Sequence, residues 1–345
     1  MEHFRYFKGS LLVSFFGIIA GYYIGGFETL FLVLVLAILE ISLSFDNAVV
    51  NATVLKDMNA VWRRRFLTWG ILIAVFGMRI LFPILVVSVI ATVSPWAALM
   101  IALEDPNLYQ ALMESSHVSL MGFGGSFLLL VGLSFFLSDD KDDHWMAAVE
   151  RPLLHLGKIS FAAEIITVLG LLVTAGLFLP ASEQYSLLVS GACGIIAFTF
   201  IHKVGAIMEN KEVDRVDLNP TTVVAKTGLG MFLYLEVLDA SFSFDGVIGA
   251  FAISTNLFII AIGLGIGAMF VRSLTIMLVE NNTLEEYRYL EHGAFYAIIA
   301  LATIMLLKTF MHIPEILTGV IGAGIIILAF IHSLIVKNKE LEAGI

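Results

Sequence analysis

Two stretches decide the reading of this chain: Glu40-Ile41-Ser42-Leu43-Ser44-Phe45-Asp46-Asn47 and Asp239-Ala240-Ser241-Phe242-Ser243-Phe244-Asp245-Gly246. Both follow the pattern acid, x, Ser, x, Ser-Phe-Asp, and Glu236 stands one helical turn ahead of the second. Each is embedded in apolar sequence long enough to cross a bilayer, and ionisable groups in such a place are rare and usually functional. On insertion scales each ionised carboxylate at mid-membrane costs roughly 2.5 to 3.5 kcal/mol, so Glu40, Asp46, Glu236, Asp239 and Asp245 together call for a compensating cation or protons.

The surroundings support a membrane setting. Of 345 residues, 59% are hydrophobic and 14% charged, and the mean hydropathy is +0.96. A soluble domain carries about 25% charged residues. Apolar windows give an all-α, polytopic bundle of about ten spans, starting near Ser10, Glu28, Leu67, Ser119, Phe161, Ser186, Thr227, Asn256, His292 and Glu315. Arg5 and Lys8 precede the first apolar run as in a secretory signal, but no small-residue cleavage site clearly follows, so that run is kept as a span. Almost every Lys and Arg falls on one side of this map, with only Lys308 near the other. The positive-inside rule then places both termini in the cytoplasm of a multi-pass inner-membrane protein.

The net charge of −10 argues against a nucleic-acid partner. One cysteine, Cys193, excludes an intrachain disulfide or a thiolate metal cluster. No Ser/His pairing, His-Glu-x-x-His helix or phosphate-binding glycine loop points to an enzyme.

Each motif is followed by a span with one arginine, Arg79 or Arg272, and then by another span. The expected organisation is a single membrane domain over residues 1–345, with three-helix repeats at 28–138 and 227–310 and an inner linker plus two spans over 139–226. Span two runs inward and span seven outward, which makes the repeats inverted, a common transporter plan that brings paired sites together near the midplane.

Carboxylates, Ser hydroxyls and the Asn carbonyl are hard oxygen ligands suited to Mn²⁺, Ca²⁺ or Mg²⁺. The expected metal set is Glu40, Asp46, Asn47, Glu236, Asp239 and Asp245, supported by Ser44, Ser243, Arg79 and Arg272. Glu40, Ser44 and Asn47 share a helix face, as do Glu236, Asp239 and Ser243. Asp46 and Asp245 lie about 120° off and join only if each helix is interrupted near Ser-Phe-Asp. The plainer alternative is that the acids pair with the arginines to hold helices together. Glu164, Glu280 and Glu291 with His292 form a second tier. The linker with Asp139, Asp140, Asp142, Asp143 and His144 reads as a solvated connection with weak affinity for a hard cation.

These motifs, with Tyr289-Leu290-Glu291-His292-Gly293, resemble the TerC family of integral membrane proteins. Gly124-Gly125, the Asp139-Asp140…His144-Trp145 linker and the Leu290-to-Gly293 run are similar to a branch catalogued as a domain of unknown function. The resemblance implies manganese efflux or, historically, tellurite resistance, with Glu40, Asp46, Asn47, Asp239 and Asp245 on the metal path. Gly246 in place of Asn47, and the extra Glu236, put symmetric ligation in question. The expected substrate is a divalent cation, Mn²⁺ first and Ca²⁺ or Mg²⁺ next, exchanged against protons on the same carboxylates. A membrane scaffold for stress resistance and an exporter of a small organic cation are the other readings.

Overall fold

The structure is a computed structural model that describes residues 4–70, 73–138, 143–213, 220–251 and 253–343. Among them there is no strand. In chain order the helices are α1 (Phe4–Leu43), α2 (Phe45–Asp57), α3 (Ala60–Arg65), π-helical stretches at Phe66–Gly70 and Ile73–Leu81, α4 (Phe82–Ile90), α5 (Pro95–Glu104), α6 (Pro106–Ser115), α7 (His117–Leu137), α8 (Ala147–Gly157), α9 (Ala162–Phe178), α10 (Ala181–Val213), α11 (Pro220–Phe251), α12 (Leu257–Glu280), α13 (Thr283–Glu286), α14 (Leu290–Lys308) and α15 (Glu315–Ala343). Asp139, Asp140 and Asp142 of the linker lie outside the described residues.

Helix starts follow local chemistry. Asn59, Ser94, Asp105 and Asn256 each accept a hydrogen bond from a first-turn backbone N–H, which satisfies donors that have no partner inside the helix. Pro95 and Pro106 stand at first positions, where a missing N–H does no harm.

Six described helices are long and apolar enough to cross a membrane, or seven if α8 and α9, bent by 105°, count as one. Eight of the ten expected starts fall within helices, and Phe161 and Asn256 are the N-caps of α9 and α12; the smaller number of membrane-length helices has physical causes. The region after Leu67 is split into two π-helical pieces and α4. The α9 helix has only 17 residues, and α11 carries Glu236, Asp239 and Asp245.

The first of the six holds two expected spans. Gly26 takes φ 73° and ψ −151°, a backbone region open essentially to glycine alone. On either side the arms of α1 lie on α12 in opposite senses. Ser10 meets Met269 and Ser273, and Gly17 meets Ile262 and Ile266. Past the turn, Leu36 meets Gly263 and Glu40 meets Gly267. The first arm therefore runs against α12 and the second along it, a hairpin closed by Gly21 on Val33.

Small residues let these helices touch. A Cβ on Gly267 would lie 2.9 Å from the Ala37 carbonyl oxygen, and one on Gly263 would lie 3.1 Å from that of Val33. The central helix α7 is buried along most of its length and presents Gly122 to α10, Gly124 to Met305 and Phe244, and Gly132 to Ile299. Large apolar side chains such as Phe27, Leu177 and Ile316 point outward, as expected where lipid is the solvent.

Ion pairs join loops assigned to the same face. Arg5 pairs with Glu280, Lys56 with Glu291, Lys337 with Glu286, and Arg288 with both Asp143 and Glu340. The Lys337 hydrogen bond holds the exposed Glu286 carboxyl below the usual carboxylate range.

Candidate functional site

The first motif sits where α1 gives way to α2. Ser44 leaves helical geometry at φ −102° and ψ 18°, yet its N–H still bonds the Glu40 carbonyl at 2.9 Å and its own carbonyl accepts from Ala48 at 3.2 Å. The expected interruption is thus a bend that keeps the helical phase. In the second motif α11 runs unbroken from Pro220 to Phe251.

Glu40 is buried between two bare backbones. Its Cβ and Cγ fill the place a Gly267 side chain would take, and its Oε2 lies 3.2 Å from where a Gly246 Cβ would stand. That contact accounts for glycine at the position matching Asn47, since a side chain there would press on the carboxylate. Glu40 Oε1 is ion-paired with Arg79 from the second π-helical stretch, and both side chains are 3% exposed. Ser44 Oγ donates to the same oxygen at 3.1 Å.

One turn further, the two motifs meet. Asn47 Nδ2 donates to Asp239 Oδ1 at 2.7 Å, and Asn51 Nδ2 reaches the same atom at 3.4 Å. Having spent their amide groups on Asp239, both asparagines keep a buried Oδ1 with no hydrogen-bond partner. Such a bare acceptor costs about 1–3 kcal/mol, so two of them beside a carboxylate favour a water or a cation at this place.

These groups line a cavity of about 40 Å³, bounded by Glu40, Ser44, Asn47, Asn51, Arg79 and Asp239, with Arg272 and Thr275 across from them. A water needs roughly 10–15 Å³ measured in this way, so there is room for about three waters or an ion with part of its hydration shell. Both motif arginines therefore reach one chamber.

The remaining expected residues stand apart from it. Asp46 is buried, but its Oδ1 accepts from the Asn47 N–H at 2.9 Å and its Oδ2 faces Gly322 of α15. The bend at Ser44 is too slight to turn it through the missing 120°. Glu236 lies against Gly70, a residue of the cavity wall, and its Oε1 is buried without a hydrogen-bond partner. Ser243 is buried with its Oγ unpartnered, outside the cavity lining. The Asp245 side chain lies outside the described residues. Asn51 and Thr275 were missed; Asn51 continues the face of Glu40, Ser44 and Asn47 by one more step of four, a signal present in the sequence.

An all-helical chain with several membrane-crossing helices, its acidic residues buried where two similar motifs meet, defines a multi-pass membrane protein with a polar interior site. A family described as Protein of unknown function (DUF475) matches residues 45–340, and the chain belongs to that family. The match takes in α2, both arginine-bearing segments and the whole second motif. No curated protein and no solved structure matches the chain.

Proposed function

We propose that this protein moves a divalent metal ion, Mn²⁺ first among the hard cations, out of the cell across the bacterial inner membrane through the cavity between the two motifs. One observation carries the reading: Asp239 of the second motif and Asn47 and Asn51 of the first converge on one small chamber with two buried carbonyl oxygens unsatisfied. Carboxylate and amide oxygens are the ligands such ions prefer. The chamber's size supports an ion with a few waters over an organic cation.

Glu40 and Asp239 line the cavity with Arg79 and Arg272, and Glu236 lies against its wall at Gly70. A dication entering there meets these carboxylates, and protons take its place on them in the return step. The units at 28–138 and 227–310 are read as inverted repeats, since their arginines reach one chamber from matching segments. The resemblance to TerC proteins belongs with this reading, as does the orientation with both termini in the cytoplasm.

The buried Glu40–Arg79 pair favours a second reading, in which the acids only hold helices together. Flux separates the two. Proteoliposomes with the wild-type protein should take up Mn²⁺, and Asp239→Asn should bring uptake to background. Equal uptake by both, or none by the wild type with any hard dication, would remove the transport reading.

A further inference from the structure

A second group of metal-ligating side chains lies on the face carrying most of the basic residues. His144 sits just before α8, Glu150 in its first turn, and His292 at the start of α14. Their ligand atoms all lie within 4.8 Å of one another. Glu150 is fully buried. Its Oε1 is committed, accepting from the Met146 N–H at 3.0 Å and the Tyr296 hydroxyl at 3.2 Å. Its Oε2 has no hydrogen-bond partner and points between the two imidazoles. It lies 3.3 Å from His144 Nδ1 and 3.5 Å from His292 Nε2.

One ion with bonds of about 2.0–2.1 Å to nitrogen and oxygen can bridge the Oε2 separations, and closing the remaining separation, within 4.8 Å, requires only that the imidazoles draw toward the carboxylate. Among the described residues, the ion-pair partners of the Glu150 carboxylate are these two histidines. The main-chain oxygen of Asp143, 2.9 Å from His292 Nε2, stands ready as a fourth ligand once the ring proton moves from Nε2 to Nδ1.

We infer that His144, Glu150 and His292 form a binding site for a borderline transition-metal dication of the Zn²⁺ and Co²⁺ class, independent of the cavity between the motifs. Two imidazoles and one carboxylate select against Ca²⁺ and Mg²⁺, which take oxygen ligands. The bound ion ties the segment before α8 to the head of α14. Glu291, next to His292, is bonded to Lys56 at the end of α2, the helix that carries Asn47 and Asn51.

The test uses the purified full-length protein in detergent with Co²⁺ as the probe, whose visible absorption is intense in tetrahedral nitrogen and oxygen sites. The expected result is a tetrahedral band titrating to one Co²⁺ per chain in the wild type. Since even outer partners of a metal ligand are worth about 10–100-fold in affinity, loss of a ligand should weaken binding at least about 100-fold. His144→Gln alters a residue 21% exposed, and Glu150→Gln keeps an oxygen for Met146 and Tyr296, so both variants should fold and lose the band. Asp239→Asn should keep it. Wild-type protein without the band, or a band that survives both ligand substitutions, would overturn the site. Neither result bears on flux through the central cavity.

Discussion

Replacing Arg79 by methionine removes the partner of a carboxylate that is 3% exposed and walled by the α11 and α12 backbones. Breaking a buried pair from one side leaves an uncompensated charge and costs about 3–5 kcal/mol. At 1.4 kcal/mol per decade that is a fall of roughly two to three and a half decades in the folding equilibrium. Replacing both residues, as Glu40→Gln with Arg79→Met, removes the charge with its partner and should recover most of the loss, because apolar or neutral pairs of similar volume are often as stable. If the cavity takes a dication, Mn²⁺ should partly rescue the single variant, by about 2.7 kcal/mol at a concentration one hundred times its dissociation constant. Denaturant or thermal unfolding in detergent, with and without Mn²⁺, measures all three. The electrostatic account fails if Arg79→Met unfolds at the wild-type midpoint. The ion-binding account fails if Mn²⁺ shifts the single variant no more than the double.

Asp46→Asn should retain a larger share of Mn²⁺ flux than Asp239→Asn, because Asp46 faces α15 and not the cavity; the reverse order in proteoliposomes would place the ion path elsewhere. Gly267→Leu should destabilise the protein by at least about 1–3 kcal/mol through overpacking against Glu40 and the Ala37 carbonyl, read as a lower unfolding midpoint. Asn51→Leu should weaken Mn²⁺ binding while leaving the Asn47–Asp239 bond in place, checked by titration with the purified protein. Glu286, its carboxyl depressed by Lys337, contributes stability that is present above the unfolded carboxylate value of about 4.3 and fades as pH falls below it. Melting at neutral pH and near pH 3 should therefore show a smaller acid-induced loss in Glu286→Gln than in the wild type, and equal losses would refute the assignment.

The membrane class could be read from hydropathy alone, since lipid exposure demands long apolar helices whatever their partners. The meeting of the two motifs was legible from their likeness and from the expense of burying acids. Other features depend on contacts between distant segments. The direction of Asp46 follows from how slightly Ser44 bends the chain, a matter of φ and ψ that a Ser-Phe-Asp run does not encode. The π-helical winding around Arg79 carries no clear residue signature, and it shortens a stretch that periodicity would continue as one span. Glu150 looks like an ordinary linker acid until the fold carries His292, far along the chain, to its side. Gly246 read as a broken symmetry; it is the clearance that lets Glu40 lie against α11.

That clearance ties chemistry to mechanics. A carboxylate held between two unadorned peptide backbones fits only while those rods keep one separation, and parting them would open its second oxygen to the water-sized space beside it. The grip of Arg79 on Glu40 would then slacken as the helices separate and tighten as they close, so this buried charge registers the spacing of the bundle around it.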